Sequence, residues 1–329
     1  MIKIAWISLS LTVLLIISAS PGLACDPCAL YSVSRLVTPE KGSVRFELYQ
    51  QFTDFEQVSD LNGVSIREGE FTTKYSSVQG IIGYDLTSRW GMQLNVPFIY
   101  RRYEQYTNYR RTTGSESGLG DMTLSVDYTP IADFDPSGGF RWSFHAGVEL
   151  PTGDTGSIEA QQSGRVNGSN APAVLRHHTG GTVSGGRILS LGSGSYDFPI
   201  GTALLWRADQ YFVLSSLQYT FRTEGDFDYK FGNDLVAELG PGVFVALHDD
   251  YTTALRVVFS SEYKWGDDQN SSEVDYTKVY NLFLGPQVIV TASDHLIMQI
   301  GVDLPVYRDE SDTTIIPRWR MRAGVTYRL

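Results

Sequence analysis

From Ser43 onward, apolar and polar residues alternate with a period of two, the spacing of strands that bury one face. Twelve segments fit that template. Val44, Phe46, Leu48 and Phe52 alternate with Arg45, Glu47, Tyr49 and Gln51. Met92, Leu94, Val96, Phe98 and Tyr100 alternate with Gln93, Asn95 and Arg101. The last segment sets Trp319, Met321, Ala323, Val325, Tyr327 and Leu329 against Arg318, Arg320, Arg322 and Arg328. The other nine stripes fall at 78–84, 122–128, 142–150, 198–206, 213–221, 235–247, 255–263, 280–290 and 296–306.

Periodicity alone does not say which face is wet, because a soluble sandwich and a membrane barrel share it. Four features favour an all-β transmembrane antiparallel barrel of about 12 strands. The strands are long, near the ~9–11 residues that cross a bilayer. Connections alternate short with long. Short turns are expected at Thr87–Arg89, Ala208–Gln210, His248–Asp250 and Ser293–His295. Long polar loops are expected at Asp54–Glu70, Glu104–Ser117, Pro151–Ser195, Glu224–Asn233 and Gly266–Asp275. Short periplasmic turns and long extracellular loops are the asymmetry of outer-membrane barrels. Aromatic residues collect at strand ends, and an even strand number closes without an edge in lipid. On this parity Trp142, Phe144, Leu282, Leu284 and Met321 face lipid. Pro97, Pro199, Pro241, Pro286 and Pro305 fall inside strands and count against the map, unless they mark rims or bulges.

Residues 1–24 read as a signal peptide: Lys3, an apolar run from Ala5 to Ala19, then Pro21 and Gly22-Leu23-Ala24. Its removal takes Lys3 and no acid, lowering the formal net charge of −11 by one, to −12. That balance argues against a nucleic-acid partner. Residues 25–42 form a periplasmic N-terminal segment with Cys25-Asp26-Pro27-Cys28, which holds both cysteines of the chain. A local disulfide between Cys25 and Cys28 is the leading reading in an oxidising compartment. A lipid anchor on Cys25 and a redox role remain alternatives. Residues 43–329 make the barrel.

Gly118-Leu119-Gly120-Asp121, the stretch Gly147 to Asp154 and Leu191-Gly192-Ser193-Gly194-Ser195-Tyr196-Asp197 resemble, in this order, a bacterial outer-membrane family. That family is named for transporters of the MetA pathway of phenol degradation. The resemblance covers the middle third of the chain. It implies a barrel that takes up small compounds, aromatic or otherwise. Read from the residues themselves, the glycines supply unusual dihedrals where the chain re-enters the wall. Pro-Thr-Gly-Asp is turn chemistry, and Asp121 points inward at the extracellular rim.

Taking the polar parity as luminal fills the interior with charge. Arg45, Glu47, Arg101, Asp121, Asp127, Arg141, Glu149, Arg318, Arg320 and Arg322 are the candidate luminal and selectivity residues, with His145, Arg207, Arg222, Glu238, Arg256, Glu262, Lys264, Asp303 and Arg328 beside them. Four arginines on one face of the last strand are either a cationic ladder for anions or a filling of ion pairs, with Glu47 among the acids within reach. The filling is slightly favoured, because acids are nearly as numerous. Clustered acids such as Asp54, Asp226 and Asp267 are expected in solvated outer loops. No Gly-x-Ser-x-Gly, Cys/His nucleophile pair or zinc helix occurs, so no enzyme, cofactor or metal site is expected. The function read here is a passive outer-membrane channel for small solutes, aromatic or anionic. The alternative is a structural sheath for a periplasmic partner such as a multihaem cytochrome. Expected partners are outer-membrane lipid and lipopolysaccharide, an unknown small solute, and the assembly machinery, whose C-terminal signal Val325–Leu329 resembles.

Overall fold

The structure, a computed structural model, describes residues 39–57, 71–107, 110–135, 137–156, 158, 190–248, 250–274, 277–293, 295–308 and 315–329. The signal peptide and Cys25–Cys28 lie outside the described residues.

Twelve wall strands follow in chain order and pair with their neighbours, all antiparallel. They are β1 (Val44–Gln57), β2 (Phe71–Asp85), β3 (Trp90–Thr107), β4 (Arg110–Leu119, resuming as Met122–Asp135), β5 (Gly138–Leu150) and β6 (Phe198–Ala208). Then come β7 (Tyr211–Phe221), β8 (Asp234–Leu247), β9 (Tyr251–Lys264), β10 (Val279–Ala292), β11 (Leu296–Arg308) and β12 (Ile315–Arg328). The last strand pairs with the first, from Arg45 opposite Arg328 to Gln57 opposite Ile315, and closes the barrel. Strand starts and ends place both of its termini at the end carrying the short turns.

The alternation of the sequence is the alternation of the wall. Phe46, Leu48, Met92, Leu94, Trp142, Phe144, Val257 and Phe259 are exposed on the outside. Their neighbours Arg45, Glu47, Gln93, Asn95, Ser143, Arg256 and Ser260 are buried inside. Leu282, Leu284 and Met321 share the outward parity, opposite Asn281, Phe283, Arg320 and Arg322. An apolar exterior around a polar interior inverts the soluble arrangement, and only a hydrocarbon solvent stabilises it.

The prolines sit where ladders lapse. β3 pairs with the two parts of β4 through 90–95 and 98–107, and Pro97 lies in the gap. Its carbonyl accepts the Gly120 N–H at the β4 break, 2.9 Å away. Pairing of β5 with β6 stops at Ala146–Ile200, one residue before Pro199. Pro241 falls between Leu239–Phe259 and Gly242–Arg256, and Pro286 between Leu284–Leu304 and Gln287–Gly301. Pro305 sits at a register shift opposite Phe283. A residue with no N–H is tolerated at a bulge, so the prolines do not count against the strand map.

Three expectations need correction. Glu104–Ser117 is not a loop: β3 and β4 run on as one hairpin, from Phe98–Leu119 to Thr107–Arg110. β1 extends through Gln57, so Asp54 is a strand residue. It is buried and 3.7 Å from Arg318. Asp267 is also buried, not solvated. It lies in a small three-stranded sheet of Tyr229–Lys230, Asp267–Gln269 and Ser272–Val274 at the loop end. There it accepts from the Tyr229 hydroxyl at 2.5 Å and Gly232 N–H at 2.7 Å, and pairs with Lys264 at 3.0 Å. Tyr229, Phe231 and Ile158 cluster beneath it.

Candidate functional site: the barrel lumen

The interior divides into two unlike walls. On the β8–β12 side the charges are cross-braced. Glu238 of β8 accepts from Arg322 of β12 at 2.8 Å and from Arg256 of β9 at 2.7 Å. Arg322 also holds Asp303 of β11 through two nitrogens, at 2.8 and 2.9 Å. Arg256 donates to Gln287 of β10, whose amide donates to Gln299 at 3.0 Å. The Arg322–Glu238 bond joins strands four apart in the wall, so the network is a bar across the lumen rather than a lining. Tyr49 of β1 packs against Val236 of β8 beside it. Gly240 makes room for the bar: a Cβ there would lie 2.6 Å from Arg256 Nη1. A second brace joins Arg320 to Glu262 at 2.5 Å, with the guanidinium 4.1 Å from the centre of the Phe283 ring. Towards the turn end the same side is apolar: Phe212, Leu214, Ala254 and Ile289 pack with Leu205, Phe244 and Ile297. The polar parity of the sequence had assigned no apolar filling to the interior.

The four-arginine ladder is therefore split. Arg322 and Arg320 are 1% and 3% exposed and carry the braces. Arg318 falls in the bulge where Asp54 faces Trp319 and Phe55 faces Pro317. The bulge turns it out of register, to 42% exposure. Arg328 lies at the turn-end rim, bonded to Ser43 and Glu40 at 2.8 Å each. Arg320 pairs with Glu262 of β9, and Arg322 with Glu238 of β8 and Asp303 of β11; Glu47 is buried on the neighbouring first strand, in register with Thr326 of β12.

On the β2–β5 side the buried face runs through Ser77, Gln79, Gln93, Asn95, Thr123 and Ser125. Register sets Asn95 opposite Thr123, and Gln93 opposite Ser125. Charge appears only towards the ends. Arg101, near the loop end, lies 5.9 Å from the Tyr75 ring. Near the turn end stand Arg45, 3.9 Å from Asp85, with Asp127 and Arg141, the last 3.4 Å from Thr129 Oγ1. His145 reaches over β6 to Gln218 at 3.2 Å. Arg207 and Lys264 sit at opposite rims, over the rings of Phe244 and Phe231.

Asp121 is not a luminal charge on display. Its carboxylate accepts from Gly153 N–H at 2.8 Å, Ser193 N–H at 2.6 Å and Ser193 Oγ at 2.8 Å. Thr152 Oγ1 donates to Gly120 O at 2.9 Å. Leu191 and Gly192 N–H bond Asp154 O at 3.0 and 3.1 Å. Gly153 and Gly192 touch backbone to backbone, and a Cβ on Gly153 would lie 2.6 Å from Gly192 Cα. The three motifs thus meet in one latch that pins both ends of the 151–197 connection to the break in β4. Beside it Arg222 gathers Glu149 at 3.0 Å, Asp197 at 2.8 Å and Asp234 at 3.0 Å, so Glu149 too belongs to the rim. The motifs were visible in the sequence; their convergence was not.

Residues 51–179, about two fifths of the chain, match the family model described as "Putative MetA-pathway of phenol degradation". The match takes in two of the three latch motifs. Over that stretch the chain is similar to this family, and its fold is that of an outer-membrane β-barrel. An outer membrane channel of Pseudomonas putida F1 superposes with a TM-score of 0.61 at 13% identity, over 93% of this chain and 100% of that one. The β domain of the Bordetella autotransporter BrkA gives 0.43 at 11% identity, over 86% and 99%. The translocator domain of the Neisseria meningitidis autotransporter NalP gives 0.42 at 11%, over 88% and 89%. The first likeness establishes the fold. No curated protein sequence matches the chain. In this setting the turn end is periplasmic and the latch is extracellular.

Proposed function

We propose that the protein is a passive channel for small solutes and performs no chemistry on them. One observation carries the reading: a cross-braced, filled wall faces one that carries its charge towards the ends and whose middle is lined by neutral amides and hydroxyls. Arginines tied into ion pairs act as filling, so the β8–β12 side narrows the lumen rather than attracting anions. The channel name of the Pseudomonas structure and the family's phenol label support small solutes, aromatic compounds being the class to try first. Lipid and lipopolysaccharide around the outer girdle, and assembly machinery at the C-terminus, complete the proposed partners.

The test is conductance of the purified barrel in a planar bilayer, together with swelling of proteoliposomes in isotonic small solutes. Discrete openings and solute-dependent swelling are expected. A barrel that inserts fully yet passes neither current nor solute would refute the reading.

A further inference from the structure

The outward face of the wall ends differently on its two halves. From β7 to β11 its loop end is ringed by aromatic side chains. Phe221 and Tyr219 of β7, Trp265 just past β9, Tyr263, Tyr280 of β10 and Tyr307 of β11 form a chain with ring centres 4.5–6.0 Å apart. Such rings belong at a membrane–water interface. From β12 through β1 to β4, cations take their place. Lys74 of β2 follows Ile82 and Val78 on the outward parity, and Arg102 of β3 follows Leu94 and Phe98. Both alternate with the buried Tyr75 and Arg101. Arg318, turned out at the β12 bulge, stands beside Trp319, whose ring packs on Phe52 at 5.0 Å. Register makes these one row: Trp319 opposite Asp54, Asp54 opposite Lys74, Lys74 opposite Arg102, and Arg102 opposite the exposed Ser115 of β4. The acids of the row are sunk beneath its cations. Arg318 is 42% exposed and Asp54, 3.7 Å away, only 10%; Arg102 is 36% exposed and Glu104, 3.9 Å away, 21%.

Resting on the lipopolysaccharide partnership proposed above, we infer that this row is a binding site for the phosphate groups of lipid A, held by Lys74, Arg102 and Arg318. The chemistry follows from position and charge. The row lies on the lipid-facing side of the loop end, just beyond the apolar stripes of its own strands, where outer-leaflet headgroups stand. Guanidinium N–H pairs match phosphate oxygens, and the lysine adds a mobile charge. Ser115 adds a hydroxyl for the sugars. Strands about 4.8 Å apart spread the three cations along about 14 Å of the rim. A headgroup with a phosphate at each end of a disaccharide spans such a row; a single phosphate engages only part of it. The aromatic half of the rim offers no comparable charge, so the lipid is drawn to one side of the barrel.

The experiment titrates bisphosphorylated lipid A into the full-length barrel in dodecyl maltoside and counts bound lipid by native mass spectrometry. A chelator is present, so that no divalent ion bridges acids to the lipid. The triple variant Lys74→Gln/Arg102→Gln/Arg318→Gln should bind at least about tenfold more weakly than the wild type. The control Lys41→Gln/Arg89→Gln/Lys278→Gln removes as many exposed charges elsewhere and should stay within about twofold. Should the first triple variant not reach its heat-modifiable form, Lys74→Gln alone should weaken binding by about fivefold. Equal losses in the two triple variants would mean diffuse attraction, overturning the site and leaving the partnership. Phosphatidylglycerol bound as tightly as lipid A overturns the site too, because one phosphate would then suffice. A wild type that takes up no lipid A refutes site and partnership together, and leaves the channel reading to its own conductance test.

Discussion

The β8–β12 and β2–β5 walls begin from the same alternation and end in opposite chemistry. On one, Glu238 serves two arginines and Arg322 serves two acids. On the other, Gln79, Gln93 and Asn95 each leave one buried amide atom without a partner, as do the hydroxyls of Ser77 and Ser125. A buried ion pair is worth little against an apolar filling, yet it is costly to break, because one charge is then left in low dielectric. A buried neutral amide costs less to leave alone and less to remove. One wall is therefore rigid and intolerant, and the other tolerant and available.

Four substitutions probe this contrast, each read by urea unfolding of the refolded barrel in detergent. Glu238→Ala takes a shared carboxylate from two buried guanidinium groups at once, leaving Arg322 to Asp303 and Arg256 to Gln287, and should lose about 3–5 kcal/mol. A loss below about 1 kcal/mol would mean that water enters the bar and the walls are alike. Arg320→Gln removes one brace and its ring contact, with an expected loss of about 2–3 kcal/mol. Its reversal potential in a salt gradient should stay put; a clear shift towards cation selectivity would make Arg320 a selectivity group rather than a brace. Asp121→Ala should cost about 1–3 kcal/mol and leave the barrel closed. Protease added outside should then cut within 151–197 faster than in the wild type, and equal cutting would show that the latch does not hold the loop. Gln93→Met should change stability by no more than about 0.5 kcal/mol, in either direction. A large loss there would reveal a partner for this amide and erase the contrast.

The strand map was legible because lipid and lumen each impose a period of two, so residues such as Leu94 and Gln93 declare their faces. The long β3–β4 hairpin was not, because beyond the bilayer it has no apolar face: Arg110 to Ser117 read as loop for want of alternation. The arginine ladder misled for a local reason. One bulge at Arg318 breaks the parity, and sequence spacing carries no sign of it. The latch was half legible. Its glycines and Asp121 stood out as motifs, but Asp121 and Ser193 are 72 residues apart, and nothing local announces their bond. The orphaned amides were present as polar positions; that they lacked partners depends on what the other strands bring.

The closing seam sets the order in which this molecule can be made. Arg45 finds its register partner only when Arg328 exists. No hairpin, however early it forms, can hide both edges of the growing sheet. Until the last strand arrives, β1 presents a row of open backbone donors and acceptors to any other chain. Closure joins the two ends of the sequence, the slowest kind of contact to find by chance. The nascent wall must therefore be kept apart from its neighbours for as long as the whole barrel takes to arrive, and then zipped in one final step.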